Sequence, residues 1–131
     1  LPGLGVVVAV VMLALKTGAL IRAAVLLGSL CGMALGAAEH EALDRFAKRA
    51  GLLFQVVDDI LDCTASTATL GKTAGKDAAT AKPTYVSLLG LERARELAAD
   101  LRQQALGSLT IFGQASQRLI ELTDFITQRK F

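Results

Sequence analysis

Apolar residues recur at three- and four-residue intervals along most of this 131-residue chain, a period typical of amphipathic helices. The pattern predicts helices over about 39–63, 85–106 and 116–129, with a possible kink at Gly90, and a helix that is apolar nearly all round over about 16–36. Outside residues 1–15, no segment alternates apolar and polar residues as a strand would. The predicted fold class is all-α, an antiparallel helical bundle.

The first fifteen residues differ from the rest of the chain. They contain no polar side chain, and the run Val6–Val11 consists mainly of β-branched residues, which favour strands over helices. The segment lacks the basic start of a signal peptide, and it is short for a membrane span. We therefore divide the chain into an apolar segment, 1–15, to which the sequence assigns no role, and a helical region, 16–131, whose first helix is opened by Lys16-Thr17-Gly18.

Glycines recur at every fourth position of the first predicted helix, at Gly28, Gly32 and Gly36. In a membrane such a row would form a close-packing helix face. Arg22, however, lies well inside the apolar run, and Lys16 separates that run from the segment before it. These charges favour a buried helix of a soluble bundle, while a small membrane protein with two apolar spans stays an alternative.

A narrow acidic stripe lies in one of the most apolar parts of the chain. On a helix, Gly51, Gln55, Asp58, Asp59 and Asp62 fall within an arc of about 100°. Like charges one turn apart repel each other by roughly 0.2–0.5 kcal/mol per pair, and the helix dipole disfavours negative charge near a helix C-terminus. We therefore expect a cation to lie against the stripe. A solvated acidic face is the alternative interpretation.

Lysines follow the stripe in an irregular segment, residues 64–84, that is rich in Gly, Thr and Ala. They are Lys72, Lys76 and Lys82. Loops of this length inside compact domains are usually functional. Carboxylates on successive helical turns suit Mg²⁺ bound jointly with a substrate phosphate, and loop lysines suit the phosphate oxygens that the metal leaves free. The pattern predicts a diphosphate site.

Composition argues against several other kinds of site. The formal net charge is only +2 and aromatic residues make up 5% of the chain, which argues against a nucleic-acid-binding surface. Cys31 and Cys63 have neither metal-ligand spacing nor a disulfide framework, which favours a reducing compartment and hence a cytoplasmic protein. The single histidine, His40, stands between two glutamates, as a solvated residue at a helix end would.

Four motifs occur in an order that resembles the trans-prenyltransferase (polyprenyl synthetase) family, and most closely the bacterial farnesyl and geranylgeranyl diphosphate synthases. They are Lys16-Thr17-Gly18, Phe54-Gln55-x-x-Asp58-Asp59-Ile60-Leu61-Asp62, Thr69-Leu70-Gly71-Lys72 and Lys82-Pro83-Thr84-Tyr85. The resemblance covers residue 16 to the C-terminus. It implies that region 16–131 is the C-terminal half of a prenyl diphosphate synthase domain with an incomplete isoprenoid-synthase-type bundle.

The resemblance also implies an activity and a role for each site residue. Such enzymes are homodimers that join isopentenyl diphosphate head-to-tail to an allylic diphosphate with the help of Mg²⁺. The implied metal ligands are Asp58, Asp59 and Asp62; the lysines that grip the diphosphate are Lys16 and Lys72, with a less defined part for Lys82. Thr17 and Gln55 are expected to line the cavity wall and to steady the allylic cation or its leaving group.

This sequence departs from the family pattern in three respects. The family's first aspartate-rich motif does not occur in it, and residues 1–15 do not look like the polar helix that normally precedes Lys-Thr-Gly in the family. Val86 also stands where many members carry proline. The chain as it stands is therefore expected to be inactive without an N-terminal half. A non-catalytic helical subunit or fragment is the alternative to an enzyme, beside the membrane protein named above.

Overall fold

The computed structural model describes residues 3–32, 34–68 and 84–129 of the chain. They form α1 (Leu4–Leu30), α2 (Ala37–Ala68), α3 (Tyr85–Leu89), α4 (Leu91–Ser108), a 3₁₀ segment (Thr110–Ser116) and α5 (Gln117–Gln128). The described residues contain no strand, so the all-α prediction is confirmed. None of the described helices is long and apolar enough to cross a membrane.

Helix α1 begins earlier than the sequence predicted. It runs unbroken from Leu4 to Leu30, so the β-branched run is helical and Lys16-Thr17-Gly18 lies in mid-helix. The prediction that this motif opens the helix was wrong, because the helix penalty of each valine is only a few tenths of a kcal/mol and is readily overridden. The helix passes through the division predicted at residue 15, which as a domain boundary stays a prediction.

The other helices follow the predicted pattern with shifted ends. Helix α2 continues to Ala68, five residues beyond the predicted end and into the segment expected to be irregular. The predicted kink at Gly90 is confirmed: this residue has φ +85°, which glycine adopts at little cost, and it separates α3 from α4. Helix α5, Gln117–Gln128, matches the last predicted helix to within one residue at each end.

Helix α2 is the centre of the bundle and contacts each of the other helices. Two groups of buried side chains surround it. One joins α2 to α4 and α5 and contains Leu53, Val56, Val57, Ala94, Ala98, Leu101 and Ile126. The other lies toward the start of α2 and contains Leu43, Phe46, Ala50, Ala105 and Leu109. The alanines of α4 let its backbone come close to α2, which fixes the orientation of the α2 face that carries the stripe.

Helix α1 packs against α2 in the antiparallel direction. Arg22 donates a hydrogen bond to Asp44, and further along the pair Gly18 meets Gly51 at the crossing point. On the other side of α1, large apolar side chains are exposed, among them Leu20, Leu27 and Leu30 at 72%, 63% and 73%. We call these outward-facing side chains of α1 the apolar ridge.

The crossing gives a matched pair of glycine substitutions with opposite expected effects. A Cβ added to Gly51 would lie 3.0 Å from the Cα of Gly18, whereas one added to Gly18 has no described atom within 4 Å. Gly18→Ala should therefore raise the free energy of unfolding by up to about 1 kcal/mol through helix propensity. Gly51→Ala gains the same propensity but forces α1 outward at a cost of about 1–3 kcal/mol.

Urea denaturation followed by circular dichroism measures both variants. We expect Gly18→Ala to be more stable than the natural chain and Gly51→Ala to be less stable. Equal stabilisation of the two variants would mean that α1 and α2 do not approach closely at this point.

Candidate functional site

The acidic stripe of α2 comprises Gln55, Asp58, Asp59 and Asp62, and its members lie in three different environments. Gln55 and Asp59 are buried, each 6% exposed. The side chain of Asp58 is 36% exposed, and Asp62 is exposed. One edge of the stripe, with Gln55 and Asp59, therefore faces the bundle interior, and the other edge, with Asp58 and Asp62, faces solvent.

Asp59 joins α2 to the start of α3. Its Oδ1 accepts a hydrogen bond of 3.0 Å from Gln55 Nε2, and its Oδ2 accepts one of 2.9 Å from the backbone N–H of Tyr85. Tyr85 is the first residue of α3, where backbone N–H groups have no partner within the helix. Thr84 and Ser87 complete this helix start with a reciprocal capping box. Asp59 is thus a structural acceptor that also fixes the orientation of the Gln55 amide.

Burial raises the pKa of Asp59 above its ordinary value. Hydrogen bonds from Tyr85 N–H and Gln55 oppose this shift, and the charges of Asp58 and Asp62 add to it. The folded state therefore holds the Asp59 proton more tightly than the unfolded state does. The contribution of this group to stability is complete below the unfolded pKa and is lost as the pH rises through the folded pKa.

Replacing Asp59 with asparagine should remove this pH dependence. As the pH rises above the ordinary pKa of an aspartate, about 4, the natural chain should lose stability relative to Asp59→Asn, which has no carboxyl proton to lose. Asp59→Ala should be about 1–3 kcal/mol less stable than Asp59→Asn at every pH, because alanine leaves the half-buried Tyr85 N–H without its acceptor. Urea denaturation at a series of pH values measures these differences.

Asp44 provides a control whose effect on stability should change with pH in the opposite direction to that of Asp59. The hydrogen bond from Arg22 is the main cause that lowers the pKa of Asp44. The stabilising contribution of Asp44 is therefore present above its unfolded pKa and is lost as the pH falls, so the natural chain should gain stability relative to Asp44→Asn as the pH rises. If the stability of the natural chain relative to each variant changed in the same direction with rising pH, the inferred environment of Asp59 would be contradicted.

A cation does lie against the stripe, and it is Arg129, immediately after α5. Its Nη2 donates a 3.1 Å hydrogen bond to the backbone oxygen of Phe54 and lies 3.7 Å from Oδ1 of Asp58. The guanidinium carbon lies 4.2 Å from the centroid of the Phe54 ring, as in a cation–π contact. The side chain is only 14% exposed.

The sequence predicted a cation at the stripe, and the one that the described residues place there is Arg129. Lys72, Lys76 and Lys82 lie outside the described residues, so their predicted positions stay predictions. In the sequence, Arg129 is a basic residue at the end of the last predicted helix. The signal that could have led to it is the uncompensated charge of the stripe, but nothing local in the sequence links positions 54 and 129.

Lys16 and Thr17 lie on α1 beside the helix crossing. Their neighbour Gly18 meets Gly51, which precedes Gln55 by one helical turn. Lys16 is exposed and Thr17 is partly buried. The fold thus brings this motif to the Gly51 end of the stripe, while the roles of Lys16 and Thr17 stay predictions.

The carboxylates suit Mg²⁺ in kind but not in their present arrangement. Among the described residues, no three His, Cys, Asp or Glu side chains form a group that could hold a metal ion. Asp58 lies beside the Arg129 guanidinium, and both oxygens of Asp59 accept hydrogen bonds from Gln55 and Tyr85. The assignment of the three aspartates as metal ligands therefore stays a prediction.

Two surface cavities flank α1, and neither is lined by an aspartate of the stripe. One of about 290 Å³ lies between α1 and α2 beside Arg22 and Lys48. The other, of about 240 Å³, lies between the C-terminal end of α1 and the 3₁₀ segment and is lined by Leu43 and Phe112. The cavity that the family resemblance implies beside Gln55 is therefore not one of these two.

Comparison with known proteins decides the family. The family model described as polyprenyl synthetase matches residues 10–119. The chain belongs to the polyprenyl synthetase family. The match covers all four sequence motifs and begins inside the apolar segment that we had set apart at residues 1–15.

Several relatives of this polyprenyl synthetase chain are named for their products. It is 50% identical over 117 residues to the farnesyl diphosphate synthase of Escherichia coli, an alignment that covers 87% of this chain and 39% of the relative. It is 50% identical over 115 residues to the chloroplastic geranylgeranyl pyrophosphate synthase of Capsicum annuum, covering 87% of this chain and 31% of the relative. The chain therefore spans between about three and four tenths of the length of these relatives.

A solved structure supports the same fold. It is the crystal structure of a protein from Marinomonas sp. MED121, provisionally described as a farnesyl-diphosphate synthase. The TM-score is 0.70 and the identity 37%, over 86% of this polyprenyl synthetase chain and 36% of that one. The helices described above thus form part of an isoprenoid-synthase-type bundle, which confirms the predicted architecture.

Proposed function

We propose that this chain is the C-terminal part of a prenyl diphosphate synthase that joins isopentenyl diphosphate head-to-tail to an allylic diphosphate. The observation that carries the proposal is the 50% identity to a farnesyl diphosphate synthase across 87% of the chain. The aspartate stripe supports it, because buried and half-exposed carboxylates border an apolar core at the place where the family motif lies.

The chain's own residues suit the ionisation of an allylic diphosphate. As the carbon–oxygen bond breaks, negative charge grows on the leaving pyrophosphate, and nearby cations stabilise that charge most in the transition state. In the proposal Lys16, Lys72 and Lys82 supply such cations. Thr17 and Gln55 face the reacting carbons, and the hydrogen bond to Asp59 holds the Gln55 amide in one orientation.

The rest of the reaction needs an apolar enclosure and no protein nucleophile. Apolar walls shield the allylic cation from water until the double bond of isopentenyl diphosphate attacks it. A proton then leaves the new carbon chain, and the departing pyrophosphate is its acceptor in the proposal. On α2, Leu53, Val56 and Val57 form part of the buried apolar face that packs against α4 and α5.

The proposal also includes a cofactor, an assembly and a location. Mg²⁺ is included because carboxylate oxygens one helical turn apart are ligands that this ion prefers, and when bound it would neutralise diphosphate charge. Assembly as a homodimer and a cytoplasmic location complete the proposal. They rest on the family resemblance and on the two cysteines, which form no disulfide framework in the sequence.

A non-catalytic helical subunit is the second candidate function. It is favoured by the apolar ridge of α1, which suits a partner surface.

Adding the N-terminal part of a relative tests the two candidates. The chain is combined with the segment of the Escherichia coli farnesyl diphosphate synthase that precedes the matched region, and prenyl product from radiolabelled isopentenyl diphosphate is measured. Product from the combination supports the enzyme, and Lys16→Ala should then slow turnover by about 10²-fold. Lys48→Ala, on α2 and 52% exposed, is the matched control. A stable complex without product would favour the non-catalytic subunit.

A further inference from the structure

We propose that Asp59 is not a metal ligand but a positioning residue, which acts on the proposed reaction by holding the side-chain amide of Gln55 in one orientation. The family resemblance implies the same role, metal ligand, for all the aspartates of the stripe. Their surroundings in the fold differ, however, and those of Asp59 do not fit a metal ion. The inference therefore separates Asp59 from the other two aspartates, Asp58 and Asp62.

Both carboxylate oxygens of Asp59 have protein partners. Oδ1 accepts a hydrogen bond of 3.0 Å from Gln55 Nε2, and Oδ2 accepts one of 2.9 Å from the backbone N–H of Tyr85. A metal ion bound to either oxygen would displace one of these donors. Because Asp59 and Gln55 are each only 6% exposed, the displaced N–H group would lose its acceptor where water does not readily replace it, which is costly.

The charge of the carboxylate fixes the direction of the bond to Gln55. An ionised carboxylate has acceptor sites only, whereas a glutamine amide has N–H donors on its nitrogen and an acceptor on its oxygen. Asp59 therefore holds the Gln55 nitrogen toward itself and turns the Gln55 oxygen away. Residues four positions apart are neighbours on a helix surface, so α2 itself keeps the two side chains within reach of each other.

Asparagine at position 59 is expected to reverse this arrangement. In Asp59→Asn, the oxygen of the new amide can still accept from the Tyr85 N–H, but its nitrogen then lies toward Gln55. Two facing N–H groups make no hydrogen bond, so the Gln55 amide should turn over and present its nitrogen where its oxygen was. The substitution thus changes the orientation of Gln55 and keeps the contact with the start of α3.

Turnover tests how Asp59 acts, measured on this chain combined with the preceding segment of the Escherichia coli farnesyl diphosphate synthase. Asp59→Asn should slow turnover by about 10- to 100-fold, the size of loss found when the outer partner of a functional side chain is removed. In a Gln55→Ala background the same substitution should slow it by no more than about twofold. The Mg²⁺ concentration that gives half of the maximal rate should be unchanged by Asp59→Asn.

A metal ligand would behave differently in both measurements. Asp59→Asn would then slow turnover by a similar factor with and without the Gln55 amide, and it would raise the half-saturating Mg²⁺ concentration. Either result would overturn the inference, and so would unchanged turnover in Asp59→Asn.

Urea denaturation of the chain by itself tests the Asp59–Gln55 pair without turnover. Gln55→Glu places a second carboxylate against Asp59, so it should lower the urea midpoint at neutral pH. Combining Gln55→Glu with Asp59→Asn exchanges the two groups and again faces a donor with an acceptor, so the midpoint should recover. The matched control combines Gln55→Glu with Asp58→Asn, which makes the same change in net charge at a residue that lies beside Arg129. Equal recovery in both double variants would overturn the inference.

The exchanged pair also serves if Asp59→Asn alone does not fold. It carries the same substitution at position 59 with a hydrogen bond to position 55 restored. Its half-saturating Mg²⁺ concentration should be no higher than that of the natural chain, and a higher one would overturn the inference.

The inference rests on the proposed function for the reaction that Gln55 takes part in, but the two can fail separately. If the combined chain forms no product, the proposed function fails, and the urea midpoints decide whether Asp59 is paired with Gln55. If product forms and Asp59→Asn is as harmful in the Gln55→Ala background as in the natural chain, the proposed function stands and the inference fails.

Discussion

Incubated alone with Mg²⁺, isopentenyl diphosphate and an allylic diphosphate, the chain is expected to form negligible prenyl product. The sequence contains one Asp-Asp-x-x-Asp motif, and the family's first such motif does not occur in it. When several groups act together on one transition state, removing some of them also removes most of the effect of the others. The remaining groups no longer fix the geometry of the reacting atoms. The rate should fall below that of a full-length synthase by a factor on the order of 10⁴ or more.

Extraction of radiolabelled prenyl product measures this rate, with full-length Escherichia coli farnesyl diphosphate synthase as the positive control under the same conditions. A rate within about tenfold of the control would mean that the C-terminal part suffices for ionisation and condensation. That result would also mean that the aspartates of the stripe act without the family's first aspartate-rich motif.

The largest expected loss of stability follows from Phe46→Ala. Phe46 is 1% exposed and packs in the core group that contains Leu43, Ala105 and Leu109. Truncating a buried phenylalanine costs about 3–5 kcal/mol, because the surrounding side chains fill the cavity only in part. Since small domains are stable by about 5–15 kcal/mol in total, this change should bring the chain close to unfolding.

Phe125→Ala is the matched control. Phe125 is on α5 and is 68% exposed, so its truncation should change the free energy of unfolding by no more than about 0.5 kcal/mol. Urea denaturation followed by circular dichroism compares the two variants. Similar losses for both would show that the buried group around Phe46 is not the stabilising core of the bundle.

The sequence predicted best the features that depend on helical periodicity. The apolar and polar positions of α2 recur at regular helical spacing. A rotation of 100° per residue therefore places Leu53 and Val56 on the buried face and the acidic stripe on another face of the helix. Periodicity cannot tell which aspartate faces the interior. Asp59 is buried because the capped start of α3 lies against it, and the contact with Tyr85 joins positions 26 residues apart.

Two features could not be read from local pattern at all. The start of α1 was misplaced because valine's preference for strands is weaker than the tendency of an apolar segment to continue a helix that packs on α2. Arg129 was missed as the stripe's partner because its contact with Phe54 spans 75 positions. Such long-range contacts are set by the packing of α5 on the bundle and leave no local trace in the sequence.

The contact between Arg129 and Phe54 has a practical consequence for anyone producing this protein. The Arg129 guanidinium stacks on the Phe54 ring and donates a hydrogen bond to the Phe54 backbone oxygen. Proteolytic cleavage between α5 and Arg129 would therefore remove a side chain that lies against the aspartate helix. Stabilities should be compared only between preparations in which mass spectrometry shows this segment to be intact.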